Sequence, residues 1–193
     1  VADMTNREKI KNYVAIASAI FFVAFLNGYL EAVNHPERSR IIVDSFFENL
    51  DFTKNFNRFM IFGFIFLNNA LKSFLIILFG FFFAVVPLIF IYANGELIGL
   101  VVGVFQQEES LLLIVLGLLP HGILEIPAMI LSTSYGIWLG NCFYRRLKYK
   151  EAFQSNFSFA MMKFIKIILP LIFLAATIES FVTPAVIDYL FSR

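Results

Sequence analysis

Apolar residues run almost unbroken from Tyr13 to Leu30, and the run closes at Asn34-His35-Pro36, where proline pushes its predecessor out of the helical region. Hydrocarbon about 30 Å thick needs ~20 residues of helix, so the pattern predicts a first membrane-crossing helix over residues 12–33. Arg7, Lys9 and Lys11 precede it as in a signal peptide. Asn27-Gly28-Tyr29-Leu30-Glu31 stands where a small-x-small cleavage signal would be needed, and the reading is an uncleaved span. From Pro36 to Arg58 charges of both signs alternate with Ile41, Ile42, Phe46, Phe47, Leu50, Phe52 and Phe56 at a spacing near helical. An amphipathic helix is expected there, on the membrane surface or packed across the bundle.

Residues 59–67 are apolar but too few to cross, and they stop at Asn68-Asn69, so they read as a partial or re-entrant element. A full span is expected over residues 71–93, interrupted by Gly80 and Pro87 and ended by Asn94-Gly95-Glu96. Leu97 to Phe105 reads as another half-length element. Its Gly99 and Gly103 have the spacing that lets helices approach closely. Gln106-Gln107-Glu108-Glu109-Ser110 is an acidic connection. The apolar stretch from Leu111 to Leu139 is too long for one untilted helix, and Pro120 divides it. The last span covers residues 157–181, with Lys163 and Lys166 in its first turns, where long side chains reach the interface.

Charge then constrains the count. Arg145, Arg146, Lys148 and Lys150 form the densest basic cluster, and by the positive-inside rule both the N-terminus and the loop 141–156 are cytoplasmic. An even number of crossings must separate them, whereas the long apolar runs between them number three. Letting residues 96–119 cross as a broken helix, with 121–140 returning, restores parity and predicts five spans in all. The expected fold is therefore all-α, a polytopic transmembrane bundle forming one integral domain over residues 1–193 in the cell membrane, with short broken or re-entrant elements.

Composition agrees: 60% of residues are hydrophobic and 15% charged. Net charge +1 supplies no basic surface for nucleic acid, so the partners expected are membrane lipids and other membrane or envelope proteins. The single cysteine, Cys142, forms no internal disulfide and belongs to no zinc motif.

Ionisable groups inside a span are costly and mark candidate sites. His121 and Glu125 lie four apart, so a helix places them on one face. Pro120 suits the first turn of that helix, and Pro127 leaves the Ile123 carbonyl without its usual partner. Asn68 with Asn69, Asn94 with Glu96, and Glu179 are the other intramembrane polar groups, Asn68, Asn94, Glu96 and Glu179 being the candidates. His121, Glu125 and Glu179 are a candidate ligand set for a divalent metal; a hydrogen-bonded knot that sets helix register, or a path for protons or ions, uses the same residues. No cofactor is indicated. The chain lacks His-Glu-x-x-His, Gly-x-Ser-x-Gly and a phosphate loop, and Ser132 and Ser134 are expected to bond to helical carbonyls.

The order of signals resembles the stage II sporulation protein M family. It is carried by Phe66-Leu67-Asn68-Asn69, Asn94-Gly95 with Ile98-Gly99, and Pro120-His121-Gly122-Ile123-Leu124-Glu125-Ile126, followed by Gly136 and Gly140. Ile178-Glu179-Ser180-Phe181 with Thr183-Pro184 is similar to that family's ending. The resemblance implies a polytopic membrane protein and, from the best-known member, a scaffold that holds cell-wall hydrolases. It makes His121, Glu125 and Glu179 the motif residues and Asn68 and Asn94 secondary ones, and it assigns none of them a catalytic role.

The function expected is accordingly a membrane scaffold or accessory protein and not a stand-alone enzyme. Gly99, Gly103, Gly136 and Gly140 suggest a homodimer. One rival is a transporter or permease component with its polar site at His121 and Glu125; the other is an intramembrane metal-dependent hydrolase.

Overall fold

Five helices are long and apolar enough to cross a membrane among the described residues: Ile10–Asn34, Arg58–Phe81, Val85–Phe105, Gly122–Tyr149 and Gln154–Val182. They come from a computed structural model that describes the backbone of residues 2–107 and 111–184, and the side chains of residues 10–107, 114 and 122–184. We label the helices α1 (Ala2–Asn34), α2 (Pro36–Glu48), α3 (Arg58–Leu78), α4 (Val85–Phe105), α5 (Leu111–Tyr149), α6 (Gln154–Lys163) and α7 (Leu169–Thr177). No strand occurs among the described residues, and the all-α bundle with five spans stands.

The count agrees with expectation, but several of the boundaries do not. Residues 59–69 are not a re-entrant element. They open α3, which starts because the Asn57 side chain accepts the Met60 N–H at 2.9 Å and then runs through Asn68 and Asn69 without a break. Nor is 71–93 one span. A short 3₁₀ turn at Phe79–Phe81 and left-handed backbone at Phe83 and Ala84 reverse the chain between α3 and α4. Pro87 explains the position: its ring clashes with the Phe83 carbonyl in a continuing helix, so α4 restarts just ahead of it.

Asn94-Gly95-Glu96 does not terminate anything; it lies in the middle of α4, and Leu97 to Phe105 is that helix's second half. The proposed broken crossing over 96–119 is therefore two separate helices, α4 ending at Phe105 and α5 beginning at Leu111. Glu108, Glu109 and Ser110 lie outside the described residues. Pro120 starts no helix and divides none, because α5 begins nine residues before it.

Glycines weld the bundle. A Cβ on Gly95 would stand 2.6 Å from the Phe21 carbonyl oxygen, one on Gly99 would overlap the Phe25 carbonyl, and one on Gly103 would meet the Ala32 Cβ at 2.6 Å. These pairs advance together, so α1 and α4 are parallel. Gly136 similarly packs its Cα against the Ile76 carbonyl, and Gly140 against Gly80, which seats the α3–α4 turn on α5. The small residues expected to serve a homodimer thus make contacts within one chain.

Ring pairs Phe74–Phe164, Phe66–Phe173 and Phe59–Phe181 show α3 antiparallel to the last span. Four crossings consequently lie between the N-terminus and the 145–150 cluster. The Asn141 side chain donates to the Tyr13 hydroxyl at 2.9 Å, which ties both basic ends to one side of the bundle. Opposite them α2 packs across the bundle, burying Ser39 and Val43 and setting Phe47 against Phe105. The core lies around α5, where Trp138, Leu139, Ile168 and Ile172 are almost fully buried.

The last span carries two π turns, Phe164–Ile168 and Ile178–Val182. Each ends two residues before a proline, Pro170 or Pro184, that cannot donate to the carbonyl four residues back, Lys166 or Ser180. The missing bond falls inside the π turn in both cases.

Candidate functional site

A stripe of residues four apart runs along α3: Phe64, Asn68 and Lys72 in one row, Ile65, Asn69 and Ser73 in the next. All six face a cavity of about 640 Å³. From α4 come Phe90, Asn94, Ile98 and Val101; from α5 come Glu125, Ala128 and Met129; from the last span come Ile172 and Glu179. Phe46, Phe47 and Leu50 line the end nearest α2. The wall is mostly aromatic and aliphatic, with polar groups gathered from four helices that are far apart in the chain.

Each polar group is positioned by its helix. The Asn94 side-chain N–H donates to the Phe90 carbonyl at 2.8 Å, one turn back on α4. Asn68 donates to the Asn69 side-chain oxygen at 3.5 Å, a weak pairing that keeps the two amides together. Glu125 is buried, with 6% of its surface exposed, whereas Glu179 is half-buried on the second π turn. Thr183 donates to the Ile178 carbonyl five residues back at 3.2 Å, a bond that matches the wider turn. That turn presents Glu179 to the cavity.

The cavity joins Asn68, Asn94, Glu125 and Glu179, all four of them candidates from sequence. It does not include Glu96. That carboxylate accepts from the Asn27 side chain at 3.0 Å, and the same Asn27 nitrogen lies 3.1 Å from the Tyr92 hydroxyl, so Glu96 belongs to the α1–α4 seam. The side chain of His121 lies outside the described residues, so its pairing with Glu125 and the metal set built on it do too. Among the described residues no group of three His, Cys, Asp or Glu side chains comes together as a metal site. His121 also has no helix N-terminus beside it, since α5 begins at Leu111. Ser132 and Ser134 donate to Ala128 and Ile130 carbonyls at 2.7 and 2.5 Å, as expected.

Lys72 and Ser73 were not singled out from sequence, although the pair Asn68-Asn69 was. The signal was present: with Asn68 and Asn69 they form two i, i+4 pairs, which a helix must place on one face. It was hidden because the helix was broken at residue 69 in the hydropathy reading.

Comparison with known proteins bears on the whole chain. An uncharacterised protein of Methanocaldococcus jannaschii is 27% identical over 182 residues, covering 92% of this chain and 97% of its own length. No solved structure matches. The sequence profile of stage II sporulation protein M matches residues 14–184, a stretch that contains every residue lining the cavity. The chain belongs to the stage II sporulation protein M family.

Proposed function

We propose that this protein is a permease-type membrane component whose working part is the cavity between α3, α4, α5 and the last span, and that it takes up a small solute with an apolar body and a polar or charged end. The carrying observation is convergence: two carboxylates, three carboxamides, a lysine and a serine from four helices face one space of about 640 Å³ inside a membrane bundle. Intramembrane acids are costly and ordinarily mark substrate or ion pathways, and a largely apolar pocket with a few convergent polar groups is the usual form of a binding site. A register-setting polar knot needs no such volume.

The test is aqueous access. In a Cys142→Ser background, Asn68→Cys and Asn94→Cys are expected to react with a membrane-impermeant thiosulfonate in proteoliposomes, while a cysteine at lipid-facing Ile89 does not. If neither cavity cysteine reacts while a surface control at Lys54→Cys does, the permease reading fails.

A scaffold or accessory role for other membrane or envelope proteins is the second reading. It draws on what the family resemblance implies, with the exposed helix faces and the 150–153 connection as contact surfaces among the described residues.

A further inference from the structure

The last span and the α1–α4 pair carry opposite charges on their outer surfaces at one depth. Glu96, Asn27 and Tyr92 form a hydrogen-bonded cluster that opens to the outside of the bundle, with Asn27 exposed and Tyr92 39% exposed. Around it stand exposed Val23, Leu26, Leu30 and Ile89, a surface made for lipid or for another helix. Lys166 lies on the first π turn, exposed, with no hydrogen-bond or ion-pair partner among the described residues. Beside it is a groove of about 390 Å³ lined by Met161, Met162 and Ile165.

Depth makes these two features complementary. Phe81, in the turn before α4, packs on Phe153 and Phe157 at the start of the last span, so both helices begin at the same end. Glu96 lies eleven residues beyond Val85 and Lys166 twelve beyond Gln154, which puts them ~17 and ~18 Å along their helices. Copies in one membrane share one orientation. Glu96 of one copy and Lys166 of the next therefore stand at matching height.

We infer that copies of this chain associate head to tail, with the Asn27–Tyr92–Glu96 cluster of one seated against Lys166 and its groove in the next. Either charge facing lipid alone is unfavourable, and the pair removes both exposures at once. The contact joins two different surfaces, the α1–α4 face of one copy and the last-span face of the next, so it is heterologous and builds a ring or row. The interface uses charges and not the glycines, which are occupied within the chain, and it is independent of the cavity.

Charge exchange tests this on the full chain. Wild-type protein in nanodiscs or mild detergent is expected to be oligomeric by light scattering; Glu96→Lys and Lys166→Glu should each weaken association by about tenfold or more, and the double exchange should restore it. Because Glu96→Lys also touches the α1–α4 seam, disulfide crosslinking provides a second readout: Tyr92→Cys and Met162→Cys in a Cys142→Ser chain should link successive copies into a ladder. A monomeric wild type, single exchanges that associate normally, or a folded double exchange that stays monomeric overturns the inference, as does absence of the ladder.

Discussion

Asn94 and Glu96 stand two residues apart on α4 and face opposite sides of it: Asn94 looks into the cavity, and Glu96 accepts a hydrogen bond from Asn27 on α1. Two residues on an α-helix are about 200° apart, so a single Asn-Gly-Glu run serves two surfaces. Gly95 between them lets α1 approach the α4 backbone, since a Cβ there would stand 2.6 Å from the Phe21 carbonyl oxygen. The two polar groups consequently have separable consequences. Removing Asn94 should alter the cavity and leave the α1–α4 seam intact, while removing Glu96 should do the reverse.

The seam bond is measurable by a double-mutant cycle. Intramembrane hydrogen bonds average about 0.6 kcal/mol in such cycles, with a maximum of ~1.7. Asn27→Leu and Glu96→Leu should therefore couple by about 0.5–1.5 kcal/mol in detergent unfolding of the purified protein, whereas Asn27→Leu and Asn94→Leu should be additive.

Glycine substitutions should separate close contact from open space. Gly99→Leu forces a side chain into the Phe25 carbonyl and should destabilise by ~3 kcal/mol or prevent folding. Gly63 has nothing within 4 Å of a would-be Cβ, so Gly63→Ala should be neutral or raise stability by about 0.5–1 kcal/mol through helix propensity. Thermal melting of both variants beside the wild type checks the contrast.

Topology predicts sidedness. With Cys142 replaced, a cysteine at Glu151 should be labelled by an impermeant reagent only from the cytoplasmic face, and one at Lys54 only from the opposite face. Labelling of both from one side would contradict the three crossings between them.

Trp138, 1% exposed, contacts the Tyr135 and Phe159 rings at the centre of the packing around α5. Trp138→Ala should cost ~3–5 kcal/mol, and Trp138→Phe less, as read by the unfolding midpoint. Trp138 does not itself line the cavity, so reagent access at Asn94→Cys should persist wherever the protein remains folded.

Much of the site was legible one residue at a time. Asn68, Asn94, Glu125 and Glu179 are conspicuous because polar groups inside apolar runs are rare, and each faces the cavity. Glu96 looked equivalent to them and is not. Its face follows from the 200° separation from Asn94, but which face is the cavity is decided by α3, α5 and the last span. Lys72 was overlooked because an apparent break at Asn68-Asn69 hid the α3 stripe. Amides that line a polar space do not interrupt a helix, whereas a hydropathy profile cannot distinguish them from amides that end one.

By itself the sequence determined a helical membrane protein with five crossings, the end of α1 at Pro36, an amphipathic α2, and the shared side of the basic N-terminus and the 145–150 cluster. These depend on local apolarity, proline geometry and charge, which act within a few residues or against the bilayer as a whole. Only the tertiary structure decided where residues 58–105 divide into two helices, that the glycines serve the chain's own seams, and which polar groups share a cavity. Those outcomes depend on contacts between residues as distant as 68 and 179, where backbone close approach and the filling of a common space select among alternatives that hydropathy leaves equal.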